Sequence, residues 1–198
     1  MRTLIIIPVI HTERDMGSLL DEVKRAYVQR YGPAKWEEHL KAIDDVWSGI
    51  RQAIEALKLP FRRVRLYQDG LPHCGREADI VKEVAAQGSR NHQLLLELME
   101  KGATLMGTED PHLLLREYQL LKNALGAGQT AQASLPEENR MRSLLAERDR
   151  YIADRINATL QQDKIGLLFV GLAHSVEPLL EPDILVRNLL ASFRPPAS

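Results

Sequence analysis

The stretch Ile165-Gly-Leu-Leu-Phe-Val-Gly-Leu-Ala-His-Ser175 decides how this chain is read. Its first six residues carry no polar side chain on either alternating face. A strand tolerates that only when both faces are covered, as in parallel sheets sandwiched by helices. Gly171 closes the run, and His174 follows just past the strand's carboxyl end, the edge where open α/β sheets hold ligands. At the opposite end of the chain, Leu4-Ile-Ile-Ile-Pro-Val-Ile-His-Thr-Glu13 has the same design, with His11 three residues beyond Pro8. The two strands are expected to pair and to present one histidine each. Taken singly, either histidine reads equally well as a polar residue at a helix start, with Asp15 or Ser175 as the cap.

Between these runs lie two more strands. Arg63 to Gln68 alternates apolar and polar and closes on the turn signal Asp69-Gly70-Leu-Pro72, and Ala103 to Gly107 runs into Thr108-Glu109-Asp110. Helical spacing of apolar residues predicts helices over 15–31, 33–58, 77–87, 89–101, 111–126 and 136–162, and a final one over 184–191. Ser89 and Asp110 are expected as N-caps, with Pro111 at the first helical position. Trp36 and Trp47 on the second helix read as core or as a subunit contact, the latter implying a homodimer. Four strands alternating with helices imply right-handed crossovers and a mainly parallel sheet of about four strands, in a single α/β domain over 1–198. The small polar run 126–135 is expected to be a flexible loop, and 194–198 a disordered tail.

Composition narrows the function. The 26 basic and 27 acidic residues of the 198 leave a formal net charge of -1, so no general attraction to nucleic acid or to an anionic membrane is expected. No apolar run approaches the roughly 18 residues of a membrane span, and Met1-Arg-Thr leads into a strand rather than a signal peptide. One cysteine, Cys74, rules out an intrachain disulfide framework, and a cytoplasmic setting is expected.

In a parallel sheet every strand's carboxyl end lies on one edge. That edge collects His11 with Glu13, Asp69, Glu109 with Asp110, and His174. Helices that lead into strands begin there too, which adds Arg90, Asn91 and His92, and also Arg140 and Arg142. Imidazole and carboxylate together suit two chemistries. Neutral imidazole plus carboxylate oxygen is a ligand set for zinc, manganese or iron, which would lower the pKa of a bound water. Without metal, a carboxylate and a histidine can divide the work of activating and orienting water. Glu109 is the first choice for base or bridging ligand, although a carboxylate there also suits the following helix N-terminus. Dinucleotide-binding, P-loop, nucleophile-elbow and His-Glu-x-x-His motifs are all absent.

Gly171-Leu-Ala-His174, Gly107-Thr-Glu109 and Glu147-Arg148-Asp149-Arg150 resemble motifs of the TraB/Tiki-like group, which includes GumN and PrgY proteins and is akin to the erythromycin esterase and ChaN-like folds. The first motif departs from the pattern, since Pro8-Val-Ile-His11 has proline where that group has glycine. The resemblance implies a hydrolase of a peptide or ester bond, metal-assisted or carboxylate/histidine-based, acting on a small molecule or peptide. His11, His174 and Glu109 would be metal ligands, Asp69 or Glu13 an additional ligand or base, and Arg148 the group that orients a carboxylate or steadies an oxyanion. It also allows, as the alternative, a non-catalytic binder of an anion or tetrapyrrole, recognised through Arg140, Arg142 and Arg148.

Overall fold

The computed structural model describes residues 1–9, 20–126 and 135–189, the side chains of 20–23, 124–126 and 135 excepted. The elements run β1 (Arg2–Val9), α1 (Leu20–Tyr31), α2 (Pro33–Ala56), β2 (Val64–Gln68), α3 (Glu77–Ala86), α4 (Arg90–Glu100), β3 (Thr104–Met106), α5 (Pro111–Gly126), α6 (Leu135–Thr159), β4 (Ile165–Gly171) and β5 (Ile184–Asn188). The five strands form one sheet in the order β3-β2-β4-β1-β5, and every pairing is parallel. Six helices flank it among the described residues, so the α/β fold expected from the alternation is present.

Alternation along the strands divides the core in two. Ile5, Ile7, Val9, Val64, Leu66, Leu167 and Phe169 pack against α2, α3 and α4 on one face. Leu4, Tyr67, Leu168 and Val170 pack against Ile152, Ala153 and Ile156 of α6 on the other. The continuous apolar run of β4 is thus explained, because its odd and even residues are buried against different helices. Both tryptophans are buried within the chain, Trp36 at 5% and Trp47 at 3% exposure. Ser89 caps α4 by accepting the His92 N–H, and Asp110 caps α5 by accepting the His112 N–H at 2.7 Å.

One expected element is different. Residues 184–188 form the edge strand β5 rather than the start of a helix, so the sheet has five strands instead of about four. Short apolar runs have no decisive period. Here the open edge of β1 supplies backbone partners along Arg2 to Ile6, and the Leu189 N–H extends the ladder to the Ile6 carbonyl at 2.9 Å. The first turns of the helix expected from Asp15, most of the 126–135 loop and the 194–198 tail lie outside the described residues.

The strand order places a functional edge. The β2-to-β3 connection leaves to one side and the β4-to-β5 connection to the other, so the switch point falls between the adjacent strands β2 and β4. The residues just past those two strands are Asp69 and Leu172 to His174.

Candidate functional site

Asp69 prolongs the β2 ladder, donating its N–H to the Phe169 carbonyl at 2.8 Å. Its carboxylate then lies beside the end of β4, where Oδ2 accepts the Gly171 N–H at 3.0 Å. On the other flank, the chain after β3 is drawn against the turn after β2. The Thr108 and Glu109 N–H groups both donate to the Leu71 carbonyl, and Glu109 returns its own carbonyl to the His73 N–H at 2.8 Å. Gly107 makes this approach possible, since a Cβ there would stand 2.6 Å from the His73 Cα. Glu109 is thereby fixed next to Asp69, and its Oε1 accepts the Gly70 N–H at 2.9 Å.

α6 closes the site from above. It is the crossover helix from β3 to β4, and since β2 lies between those strands it passes over β2. Its consecutive residues Arg148 and Asp149 divide the carboxyl edge between them. The Arg148 Nη2 donates to Asp69 Oδ1 at 2.7 Å and to Glu109 Oε1 at 2.6 Å, while Nε donates to Glu109 Oε2 at 2.8 Å. Nη1 takes Glu117 of α5. Asp149 accepts the Ser175 N–H on Oδ2 at 2.9 Å and engages His174 Nδ1 through Oδ1. The remaining ring nitrogen, Nε2, faces Asp69 Oδ2 at 3.3 Å. The result is a continuous chain, Asp149–His174–Asp69–Arg148–Glu109, buried at the switch point.

Charge is out of balance in it. Asp69, Glu109, Glu117 and Asp149 face one guanidinium and one imidazole among the described residues. Burial alone would lower the His174 pKa. The hydrogen bond and negative charge of Asp69, followed by Asp149, outweigh it and push the imidazole up to about 9. Burial pushes the Glu109 carboxyl upward and the charge of Asp69 adds to the push, while Arg148 opposes both. Arg148 itself is held firmly protonated, because Glu109 and Asp69 more than offset the cost of burying it.

The structure gathers Asp69, Glu109, Arg148 and His174 into one cluster. It does not bring Asn91, Arg140 or Arg142 to it. Asn91 is wholly buried near the start of α4, where its side-chain oxygen and nitrogen find no partner. Arg140 and Arg142 are exposed more than a turn earlier on α6. Arg90 pairs with Asp44 of α2, and Arg155 donates to the Gly107 carbonyl at 3.0 Å. His11 and Glu13 lie outside the described residues. Asp149 and Glu117 join the cluster without having been singled out from the sequence. Asp149 had a signal in its position beside Arg148, within the quoted Glu147-to-Arg150 motif; Glu117 had none.

A divalent metal can be tested against these residues. Asp69, Glu109 and His174 each offer a donor atom, all within 4.8 Å of one another, and Asp149 on Nδ1 would orient Nε2 as a ligand. Arg148 Nη2 already bonds to both carboxylates, however, so a metal would compete with the guanidinium for the same oxygens. As arranged, the cluster does not fit a metal and Arg148 together. No protein-family model, curated protein or solved structure matches this chain.

Proposed function

We propose that the protein is a hydrolase of a carboxylic ester or peptide bond that works without metal through His174. The observation that carries this reading is the Asp149–His174–Asp69 chain at the switch point. Asp149 holds Nδ1 and so fixes the ring, and the protonated Nε2 gives its proton to the leaving group while Asp69, which faces Nε2, takes the proton of the attacking water and passes it back to the ring. Asp69 shares the Nε2 proton, and Arg148 with Glu109 holds Asp69 in place. With both oxygens of Glu109 engaged by Arg148 and Gly70, its role here is to anchor the arginine. The resemblance to the TraB/Tiki-like group supports the same reaction class. Cys74 is an exposed free thiol, which suits a reducing, cytoplasmic setting.

The test is turnover of p-nitrophenyl acyl esters and fluorogenic peptides by the parent and by His174→Asn and Asp149→Asn, with folding checked by circular dichroism. Turnover in the parent, falling by about 100-fold or more in His174→Asn, is expected. Because the protonated ring is the acid, the parent's rate should decline as pH rises through about 9, and Asp149→Asn should move that decline to lower pH. Absence of turnover on every substrate, or equal rates in parent and His174→Asn, overturns the proposal.

A metal-assisted variant of the reaction has one observation in its favour, the spacing of Asp69, Glu109 and His174. It requires Arg148 to leave both carboxylates. Elemental analysis of natively purified protein reads it directly: a near-stoichiometric zinc, manganese or iron that disappears in His174→Asn would favour this branch. The non-catalytic anion or tetrapyrrole binder has less to support it, since Arg148 is committed to three carboxylates and Arg140 and Arg142 are turned to solvent.

A further inference from the structure

The β4-to-β5 connection differs from the other three crossovers. Among the described residues each of those carries two helices, whereas Leu172 to Asp183 crosses with a single 3-10 turn at Glu177–Leu179. A strap that thin cannot cover the sheet as a helix does, and among the described residues no helix lies on the α6 face beyond β4. The consequence is a cavity of about 550 Å3 over the carboxyl ends of β4, β1 and β5. Its apolar floor is Ile6, Pro8, Val170 and Val176, residues of the same sheet face and of the strap. Its wall includes His174 and Ser175, the two residues that Asp149 holds. The volume is within the usual range for small-ligand sites, and the lining is mixed, with His174, Ser175, Glu177 and Asn188 facing the apolar floor.

We propose that this cavity is an acyl pocket, taking the apolar chain on the carbonyl side of the scissile bond and setting a preference for medium-length acyl groups or large apolar side chains over acetyl. The assignment rests on the hydrolase reading for its purpose, but it stands on two features of its own: an apolar floor left by the missing helix, and a wall shared with the imidazole. A chain seated on Ile6 and Val170 has its carbonyl end directed by the cavity's polar wall, which is where His174 lies.

The test uses binding, so that it is separate from turnover. Octanoate and acetate are titrated by calorimetry into the parent protein, into Ile6→Phe, which fills the floor, and into Ser175→Trp, which obstructs the mouth from an exposed position and leaves the core alone. Octanoate should bind the parent at least about tenfold more tightly than acetate, and both variants should lose about tenfold or more of that affinity. If octanoate shows no preference over acetate, or if a folded Ser175→Trp binds it as the parent does, the pocket assignment fails, whether or not esters are hydrolysed. If octanoate binds as expected and no ester or peptide is turned over, the pocket stands and it is the hydrolase reading that fails.

Discussion

Two buried arginines, one at each end of the sheet, have opposite meanings. At the amino edge, Arg2 reaches Asp183 through Nε at 2.8 Å and the Asn157 carbonyl through Nη1 at 2.9 Å, and its Nη2 takes Glu181 and Asp183. Its side chain is 9% exposed, yet its two carboxylates are 54% and 45% exposed. At the carboxyl edge, Arg148 is 5% exposed and its partners Asp69 and Glu109 are 4% and 0%. Water therefore completes the solvation of the first pair of acids and is excluded from the second. Arg2 is a clamp that ties the strap and the end of α6 to β1. Arg148 is the counter-charge of a buried acid cluster, which makes its neighbours' protonation states sensitive to one another.

That contrast can be broken by mutation. Arg148→Met leaves Asp69 and Glu109 buried without their cation and should cost about 3–5 kcal/mol in urea unfolding. A loss comparable to that of a surface pair would show that water reaches these acids after all. The next largest effect is one of pH. The His174 pKa is raised from 6.5 to about 9 on folding, so its contribution is fully present below pH 6.5 and disappears as pH rises through about 9. Unfolding free energy should fall over that interval by about 2–3 kcal/mol in the parent. His174→Asn should lack this fall, and an unchanged slope in that variant would assign the titration elsewhere. Arg2→Met keeps an apolar stem and frees carboxylates that water already reaches, so it should cost only about 1 kcal/mol. Arg90→Ala, breaking the half-exposed pair with Asp44, should change stability by less than about 0.5 kcal/mol and still less at high salt. A cost for Arg2→Met that equals that of Arg148→Met would erase the distinction between the two edges.

The same contrast governs what was legible in the residues. Asp69, Glu109 and His174 could be picked out because each follows a stretch with a strand pattern, and strand ends of a parallel sheet share an edge whatever the strand order. Arg148 was reached through a motif. Its neighbour Asp149 was quoted in that motif but given no role, because adjacent residues on a helix point about 100° apart and only the path of α6 over β2 lets both face the edge. Arg140 and Arg142 show the reverse error: lying early on the helix before β4 is not enough when the helix extends past the sheet. Asn91 reads from sequence like a polar helix-start residue, yet it is wholly buried.

Local pattern was sufficient for the α/β class, for strands β1 to β4 and for the caps at Ser89 and Asp110, since burial on two faces and orphan helix N–H groups act within a few residues of the chain. The strand order, the switch point between β2 and β4, the strand nature of 184–188 and the union of Asp149, His174, Asp69, Arg148 and Glu109 depended on contacts between segments distant in sequence. An edge strand acquires its hydrogen-bond partners, and a buried carboxylate its counter-ion, only when the chain has closed on itself.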